Sequence, residues 1–457
     1  MPIRQIKLQS DSHPPFSKSE HNIIDIDIPA DVGSSNLARS YVVFKTTIDT
    51  TGDGVHNVGF GDSANDSMPY SANALIKLCR LESSTKGVLE DIKGHNVIFT
   101  NLHQRVRDFD ELNSEELFGV YREQDIQGNI YTPFRNLYKQ GTTTSAELEP
   151  EIHIPLRTMF GLGNVDNFNH GGVGKLRMHF ELEDIIPVVR QFRRYTDHTT
   201  SALAFNDKVA GGAPITELVA TDIFDNDEDF PLWIGQSLNV QYSVAASPQT
   251  TNVLVGAITR DSVTGVVTIT LSTDIGSADI TAVTVIENAA TTIEYNISDA
   301  QLVLFQQVGK QAPRQQVVYR TFEVERLNKS AHETYEQQFD IPGNCITALA
   351  LTPTTSLMSV VDNCSSYRYR LNNIDTTDRN IEPNQSPLYI DRMTLSLLNS
   401  GLPVHNLKTG FTNQALFLNP IPLQDAPQVL HLSMKFSSAP ACPVIYFYKQ
   451  VERVLKS

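Results

Sequence analysis

Apolar and polar side chains alternate with a period of two at intervals along the whole chain, the pattern of strands that turn one face to a core and the other to water. In HNIIDIDIPA, Ile24, Ile26 and Ile28 share a face opposite Asp25 and Asp27. In KLRMHFELE, Leu176, Met178, Phe180 and Leu182 oppose Lys175, Arg177, His179, Glu181 and Glu183. In LHLSMKFSS, Leu432, Met434 and Phe436 oppose His431, Ser433 and Lys435. Other segments are richer in apolar residues, as strands covered on both faces are: SYVVFKTTI, ANALIKLCRLE, VVYRTFEVER, CITALALTP, YRYRL, DRMTLSLLN and PVIYFYKQVE. Pro, Gly, Asn and Asp clusters separate these segments at short intervals, which predicts a sandwich or barrel rather than βαβ units. Helical spacing is rare. Its best instance is Leu102, Val106, Phe109 and Leu112, with a shorter turn starting at Ser114 ahead of Glu115 and Glu116.

Two breaks divide the pattern. Around residues 190–231, RQFRRYTDHTT is basic and polar, AGGAP is flexible punctuation and DIFDNDEDFP is acidic, so a linker is expected there. Strands resume around Trp233, the only tryptophan. From about 244 to 300 the composition shifts to Thr, Val, Ala, Ile and Ser, with Arg260 the only basic residue, and the text reads as short strands inserted into the second half. Such insertions cost little closure entropy as they lengthen.

With 457 residues, 40% hydrophobic and 19% charged, the chain has room for two large β domains with real cores. No stretch approaches the roughly 18 uninterrupted apolar residues that cross a bilayer. The first twenty residues are polar and hold adjacent prolines, so they are expected to form an extended arm rather than a signal peptide. Cys79, Cys345, Cys364 and Cys442 lie in or near apolar strand contexts without C-x-x-C spacing, which predicts inert buried thiols rather than a disulfide framework. The formal charge of −16, from 36 basic against 52 acidic side chains, argues against nonspecific binding of nucleic acid by the body of the protein.

Candidate chemistry is thin. Gly161-Leu162-Gly163 would need a third glycine where Asp166 stands, and no βαβ unit precedes it, so no dinucleotide fingerprint forms. Gly174-Lys175 lacks the P-loop's earlier glycine, Asn169 standing there, and its hydroxyl, replaced by Leu176. Asp225, Asp227 and Asp229 resemble the first ligands of a calcium loop, but Phe230 replaces the turn glycine and Gln236 the closing carboxylate. His332-Glu333 begins like a zinc-protease motif and fails at Glu336. Arg190, Arg193 and Arg194 read as a salt-bridge cluster at a domain junction. Glu90, Asp91, Glu181 and Glu183 are the acids to consider for glycoside chemistry, which needs two carboxylates facing one another in space. In IHIPLRTMFGLG, Ile152, Ile154 and Leu156 are expected to point inward from a late strand that Pro155 ends, with Met159 and Phe160 plugging a corner that the glycines turn.

Several of these segments carry a resemblance. ANALIKLCRLESSTKGVLEDI, then IHIPLRTMFGLG, then KLRMHFELE resemble the first jelly roll of double jelly-roll major capsid proteins of Polinton-like viruses, virophages and adintovirus-type elements. The matching parts are Ala74–Leu81, Gly87–Ile92 and Ile154–Gly161, with Leu162-Gly163 departing from the family's pattern. In the second half FDIPGN, SYRYRLNNIDTTDRNI, SPLYIDRM and the strands from Gln428 to Leu455 are similar as well.

The resemblance implies an all-β fold of two jelly-roll β-sandwiches in tandem, with loop insertions and a few short helices. The expected boundaries are an extended N-terminal arm at 1–20, a first jelly roll at 21–195, a linker at 196–230 and a second jelly roll at 231–457 containing the insertion at about 244–300. It further implies a non-enzymatic major capsid protein of a double-stranded DNA virus or virus-like element, without catalytic, cofactor or metal site. Its partners would be itself, as a homotrimer and then in trimer–trimer contacts of an icosahedral capsid, together with minor capsid and penton proteins. No sequence-specific nucleic-acid binding is implied, and the location is the virion. The alternatives are a minor or vertex jelly-roll capsid protein and, from another class, a carbohydrate-binding or carbohydrate-active β-sandwich protein.

Overall fold

The computed structural model describes residues 3–17, 21–51, 58–60, 70–103, 120–121, 123–124, 130–131, 145–148, 151–183, 188–191, 198–199, 203–205, 214–220, 234–235, 237–244, 246–261, 263–264, 266–277, 280–287, 292–309, 316–328, 333–351, 364–377, 379–383, 386–400, 415–419, 421–422, 424, 426–437 and 444–456. The first sandwich is built from Ile3–Gln9 (β1), Ile23–Ile28 (β2), Ser34–Thr51 (β3), Ile76–Ser83 (β4), Gly87–Lys93 (β5), Glu151–Pro155 (β6), Leu176–Leu182 (β7) and, much later in the chain, Thr292–Gln307 (β8). The second uses Gln316–Asn328 (β9), Thr334–Ile341 (β10), Cys345–Leu351 (β11), Cys364–Leu371 (β12), Ile374–Asp375 (β13), the helix Pro387–Ser400 (α1), Leu416–Phe417 (β14), Gln428–Phe436 (β15) and Val444–Lys456 (β16).

One eight-stranded sheet runs through both units in the order β2-β7-β4-β5-β9-β16-β11-β14. Its first half is faced by β1-β8-β3-β6, its second half by β10-β15-β12-β13. In each unit the first strand pairs with the last (β1 with β8, β9 with β16) and the second with the next to last (β2 with β7, β10 with β15), and β3 pairs with β6 inside them. That wrapping is the jelly-roll topology, so the fold is two jelly-roll sandwiches in tandem.

The alternation read from the sequence is the physical cause of this layering. Ile26, Met178 and Leu81 fall in one register row across β2, β7 and β4, all buried, with Asp27, Arg177 and Glu82 in the next row on the outer face. Across the first core Phe44 meets Phe180 edge-on at 6.3 Å, and across the second Phe339 stacks on Phe447 at 3.7 Å. A side chain such as Phe180, fully buried, contributes roughly 1.5–3 kcal/mol by its removal from water.

The structure redraws the expected boundaries. The N-terminal arm is not free of the sheets: Ile3–Gln9 pairs with Gln307–Gln301, because Ile6 and Leu8 hide a two-residue alternation within polar text, and Phe16 is fully buried further on. The linker region supplies His198–Thr199, Leu203–Phe205 and Pro214–Ala220 to a seven-stranded antiparallel sheet completed by Ser237–Val244, Ser247–Arg260, Val267–Ser277 and Ile280–Glu287. This inserted unit has its own core, which includes Ile215, Leu218, Leu238, Val240 and Ile269. The insertion therefore spans the strands from 198 to 287, rather than 244–300, and residues from 292 onward return to the first sandwich as β8. Text without Lys or Arg continues across that return point, which is why composition alone misplaced it.

Two local expectations change as well. DRMTLSLLN, read as a strand, lies within helix α1, whose Tyr389, Met393 and Leu397 are spaced by four and buried. Ser386 caps it, its Oγ accepting from the Tyr389 amide at 3.2 Å, and Pro387 occupies the first helical position. Leu156, expected in the late strand, instead opens a helical turn at Leu156–Met159, since Pro155 ends the ladder opposite Tyr41. Of the expected helix near Leu102, only Leu102 itself is described, buried within the helical turn Phe99–His103; Val106, Phe109, Leu112 and Ser114 lie outside the described residues.

Candidate functional site at the junction of the two sandwiches

The place where the two jelly rolls meet is built mainly from β5 and β9, neighbours in the shared sheet that run parallel with Glu323 opposite Asp91. Glu90, within β5, lies opposite Leu81 in register and points inward with no exposed surface. Its two oxygens accept the backbone N–H groups of Gly161 at 2.7 Å and Leu162 at 2.9 Å. Those amides belong to the corner that follows IHIPLRTMF. A Cβ at Gly161 would collide with the Arg320 carbonyl of β9, so only glycine lets the corner of the first unit touch the strand of the second.

Three more contacts fasten the same seam. Tyr319 and Arg453, from β9 and β16, both donate to the Leu89 carbonyl of β5, the tyrosine at 3.2 Å, and Arg453 also pairs with Glu323 at 2.8 Å. Tyr448 donates to the Gly94 carbonyl at 2.7 Å. Gly94 itself has φ +62°, and a side chain there would strike the rings of Tyr446 and Tyr448. The chain after Gly94 is then held by His95, whose ring contacts Asn73 Oδ1 at 3.0 Å, and by Asn96, which donates to Glu183 Oε2 at 2.8 Å.

The charges follow the burial. Loss of water raises the Glu90 carboxyl; the nearby Thr321 hydroxyl, the Leu162 and Gly161 amides and the positive Arg453 pull against that rise. The Thr321 oxygen lacks a partner in hydrogen-bonding geometry, so its effect is one of proximity. Burial, then the negative Glu90, pushes the Tyr319 phenol up to about 12, against Arg453. Burial works against the Arg453 charge, but Glu323 outweighs it and raises the guanidinium.

The candidate acids separate. Glu90 is in the seam, Asp91 pairs with Arg80 at 3.0 Å, Glu181 pairs with Lys77 at 3.2 Å and Glu183 is buried on Asn96. None of the four faces another across an open cleft among the described residues. Gly163 is wedged against the Leu156 carbonyl, and Asp166 accepts from Asn36 at 3.3 Å, so this loop is a corner. Gly174 turns with φ +73° and Lys175 pairs with Asp27. Burial pushes the Cys79 thiol well up and Cys345 to about 12; Cys364 is buried too. Cys442, His332, Asp225, Asp227, Asp229, Trp233, Arg193 and Arg194 lie outside the described residues, as does the side chain of Arg190. Among the described residues no group of three His, Cys, Asp or Glu side chains could hold a metal ion, and no helix is long and apolar enough to cross a membrane.

Sequence reasoning weighed Glu90 as a general acid or base and missed its structural task. One signal was present: in GVLEDI the acid takes the inward position two residues before Ile92, where an alternating strand places an apolar residue.

No family model matches the chain, and no curated protein matches it. Solved structures do. A chain of the Sputnik virophage, determined by cryo-EM at 3.5 Å, is similar at 10% identity and a TM-score of 0.49, covering 100% of this chain and 88% of that one. A chain of the quasi-atomic PBCV-1 virus capsid is similar at 9% identity and a TM-score of 0.43, covering 100% and 94%. The mavirus major capsid protein is similar at 10% identity and a TM-score of 0.39, covering 99% and 87%.

Proposed function

We propose that this chain is a structural shell protein: the major capsid protein of a double-stranded DNA virus or virus-like element, assembling as a trimer of pseudo-hexagonal outline that tiles an icosahedral capsid. The observation that carries this reading is the shared eight-stranded sheet, which with the Glu90 seam joins two jelly rolls into one rigid wall. Two similar units side by side give one subunit two of the six sides of a hexagon, so three copies close the outline. The motif segments that resemble the capsid family support it too, since Gly87–Ile92 and Ile154–Gly161 meet in that seam. The groups best placed for chemistry are instead occupied in holding the wall together. The protein in this reading is not an enzyme; its partners are further copies of itself and the minor capsid and penton proteins, and its location is the virion.

Solution mass and imaging test the reading. The expected result is a monodisperse trimer with a hexagonal outline in negative-stain images. A stable monomer with hydrolase activity would overturn it.

A further inference from the structure

The outer face of the β10-β15-β12-β13 sheet carries two polar rows. Register places Gln338, His431 and Arg370 in one row and Glu336, Ser433 and Arg368 in the next. With Asn373, at the left-handed turn between β12 and β13, and Asn380, these side chains line a concavity of about 550 Å³. Arg368 and Arg370 each pair with Asp375 at 2.7 Å. The side chains of Glu336, Gln338, Asn373, Asn380, His431 and Ser433 make no hydrogen bond or ion pair among the described residues.

The outer face of the first sandwich is arranged differently. There Asp25 pairs with His179 at 2.7 Å, Asp27 with Arg177 at 2.9 Å, Lys77 with Glu181 at 3.2 Å and Arg80 with Asp91 at 3.0 Å, so that face satisfies itself. The groove of the second sandwich instead holds a surplus of both donors and acceptors.

Three properties define what fits it. Glu336 and Asp375 balance Arg368 and Arg370, so neither a polyanion nor a polycation is favoured over a neutral ligand. Among the described lining residues the one apolar side chain, Leu432, is 1% exposed and points into the core, no Trp or Tyr is present, and both arginines are already engaged by Asp375, so a protein partner would find no apolar or aromatic anchor there. Planar amides, a guanidinium, an imidazole and a hydroxyl match a ligand whose groups each donate and accept, which describes sugar hydroxyls. We propose that this groove binds a short uncharged saccharide, gripped by Gln338, Arg370, His431 and Ser433 and flanked by Asn373 and Asn380. The inference stands apart from the capsid reading and does not require assembly.

Saturation-transfer NMR on the full chain tests it, with cellobiose, lactose and diacetylchitobiose as separate probes. The expected result is transfer to at least one probe, weakened about fivefold or more by Gln338→Ala, as loss of one direct hydrogen bond does, with thermal melting unchanged. Asn380→Ala, on the opposite side of the groove, should weaken the same probe. The proposal falls if no probe binds at about 10 mM, or if binding survives both substitutions. It falls equally if those substitutions shift the mass in solution instead of saccharide binding, because the groove would then be a contact between copies.

Discussion

Glu90 is a fully buried carboxyl group that accepts from two backbone amides, for which no other partner is found among the described residues. Glu90→Ala would leave the Leu162 amide buried and unpaired, at a cost of about 1–3 kcal/mol, and the half-buried Gly161 amide unpaired at a smaller cost, and should lower the urea midpoint of the full chain accordingly. Glu90→Gln keeps one acceptor and should lose less; an alanine variant as stable as the parent would remove Glu90 from the seam's energetics. Two buried histidines set a pH dependence. Burial pushes His95 down to about 3 and His170 down to about 4, so both are neutral in the fold while the unfolded chain takes up their protons near 6.5. Stability present above pH 6.5 is therefore expected to fall as pH drops through about 6 to 4. Burial raises Glu90 and gives the opposite sign, its penalty being relieved in acid. Hydrogen bonds from Arg177, Asp11 and Lys175 overcome the desolvation of Asp27 and hold its carboxyl low, so that contribution is lost only below the usual carboxylate range. Melting curves across this pH range should flatten in His170→Gln if the histidine is responsible, and stay steep if it is not.

Whole elements were legible where one face is apolar and the other polar. Leu176 to Leu182 and Leu430 to Phe436 alternate in burial as their letters do. Legibility failed for DRMTLSLLN, whose composition suits strand or helix; the spacing by four of Tyr389, Met393 and Leu397 and the Ser-Pro start at Ser386 and Pro387 are the helical signals there. It failed also for the order of strands, which no local pattern encodes: nothing near Thr292 announces that β8 lies beside β3, across a gap of some 240 residues. The inserted unit shows the consequence. Its core shares no residue with the main one, and the strand Val189–Gln191 that leads toward it touches β8, which follows it. Replacing residues 192–291 by a short Gly/Ser linker should therefore leave both sandwiches folded, with a single cooperative transition close to that of the parent. A molten or aggregated product would show that the insert supports the sandwiches.

Across the whole molecule, the two sandwiches share one continuous hydrophobic cluster, and the seam makes them one wall, because a shared sheet and a backbone-to-backbone approach at Gly161 leave little room for hinge motion. Gly161→Val must open that approach against the Arg320 carbonyl, while Phe44, Phe180, Phe339 and Phe447 keep their partners. If wall geometry governs assembly, the valine variant should retain β structure by circular dichroism yet lose the trimer or form irregular products; regular trimers from it would show that the angle between sandwiches is not decisive. Net charge adds a second constraint at this scale. Copies carrying −16 each repel one another, and the repulsion is screened over a Debye length of about 10 Å at 0.1 M salt and about 3 Å at 1 M. Contacts made mostly by apolar and neutral polar surface should therefore strengthen as salt rises, whereas contacts made by complementary charges should weaken. Since the outer face of β2, β7 and β4 pairs its own charges within the subunit, few are left to reach a neighbour from that face. Sedimentation at about 0.05 M and 0.5 M salt is accordingly expected to show association increasing with salt, and dissociation at the higher salt would place ion pairs between subunits instead.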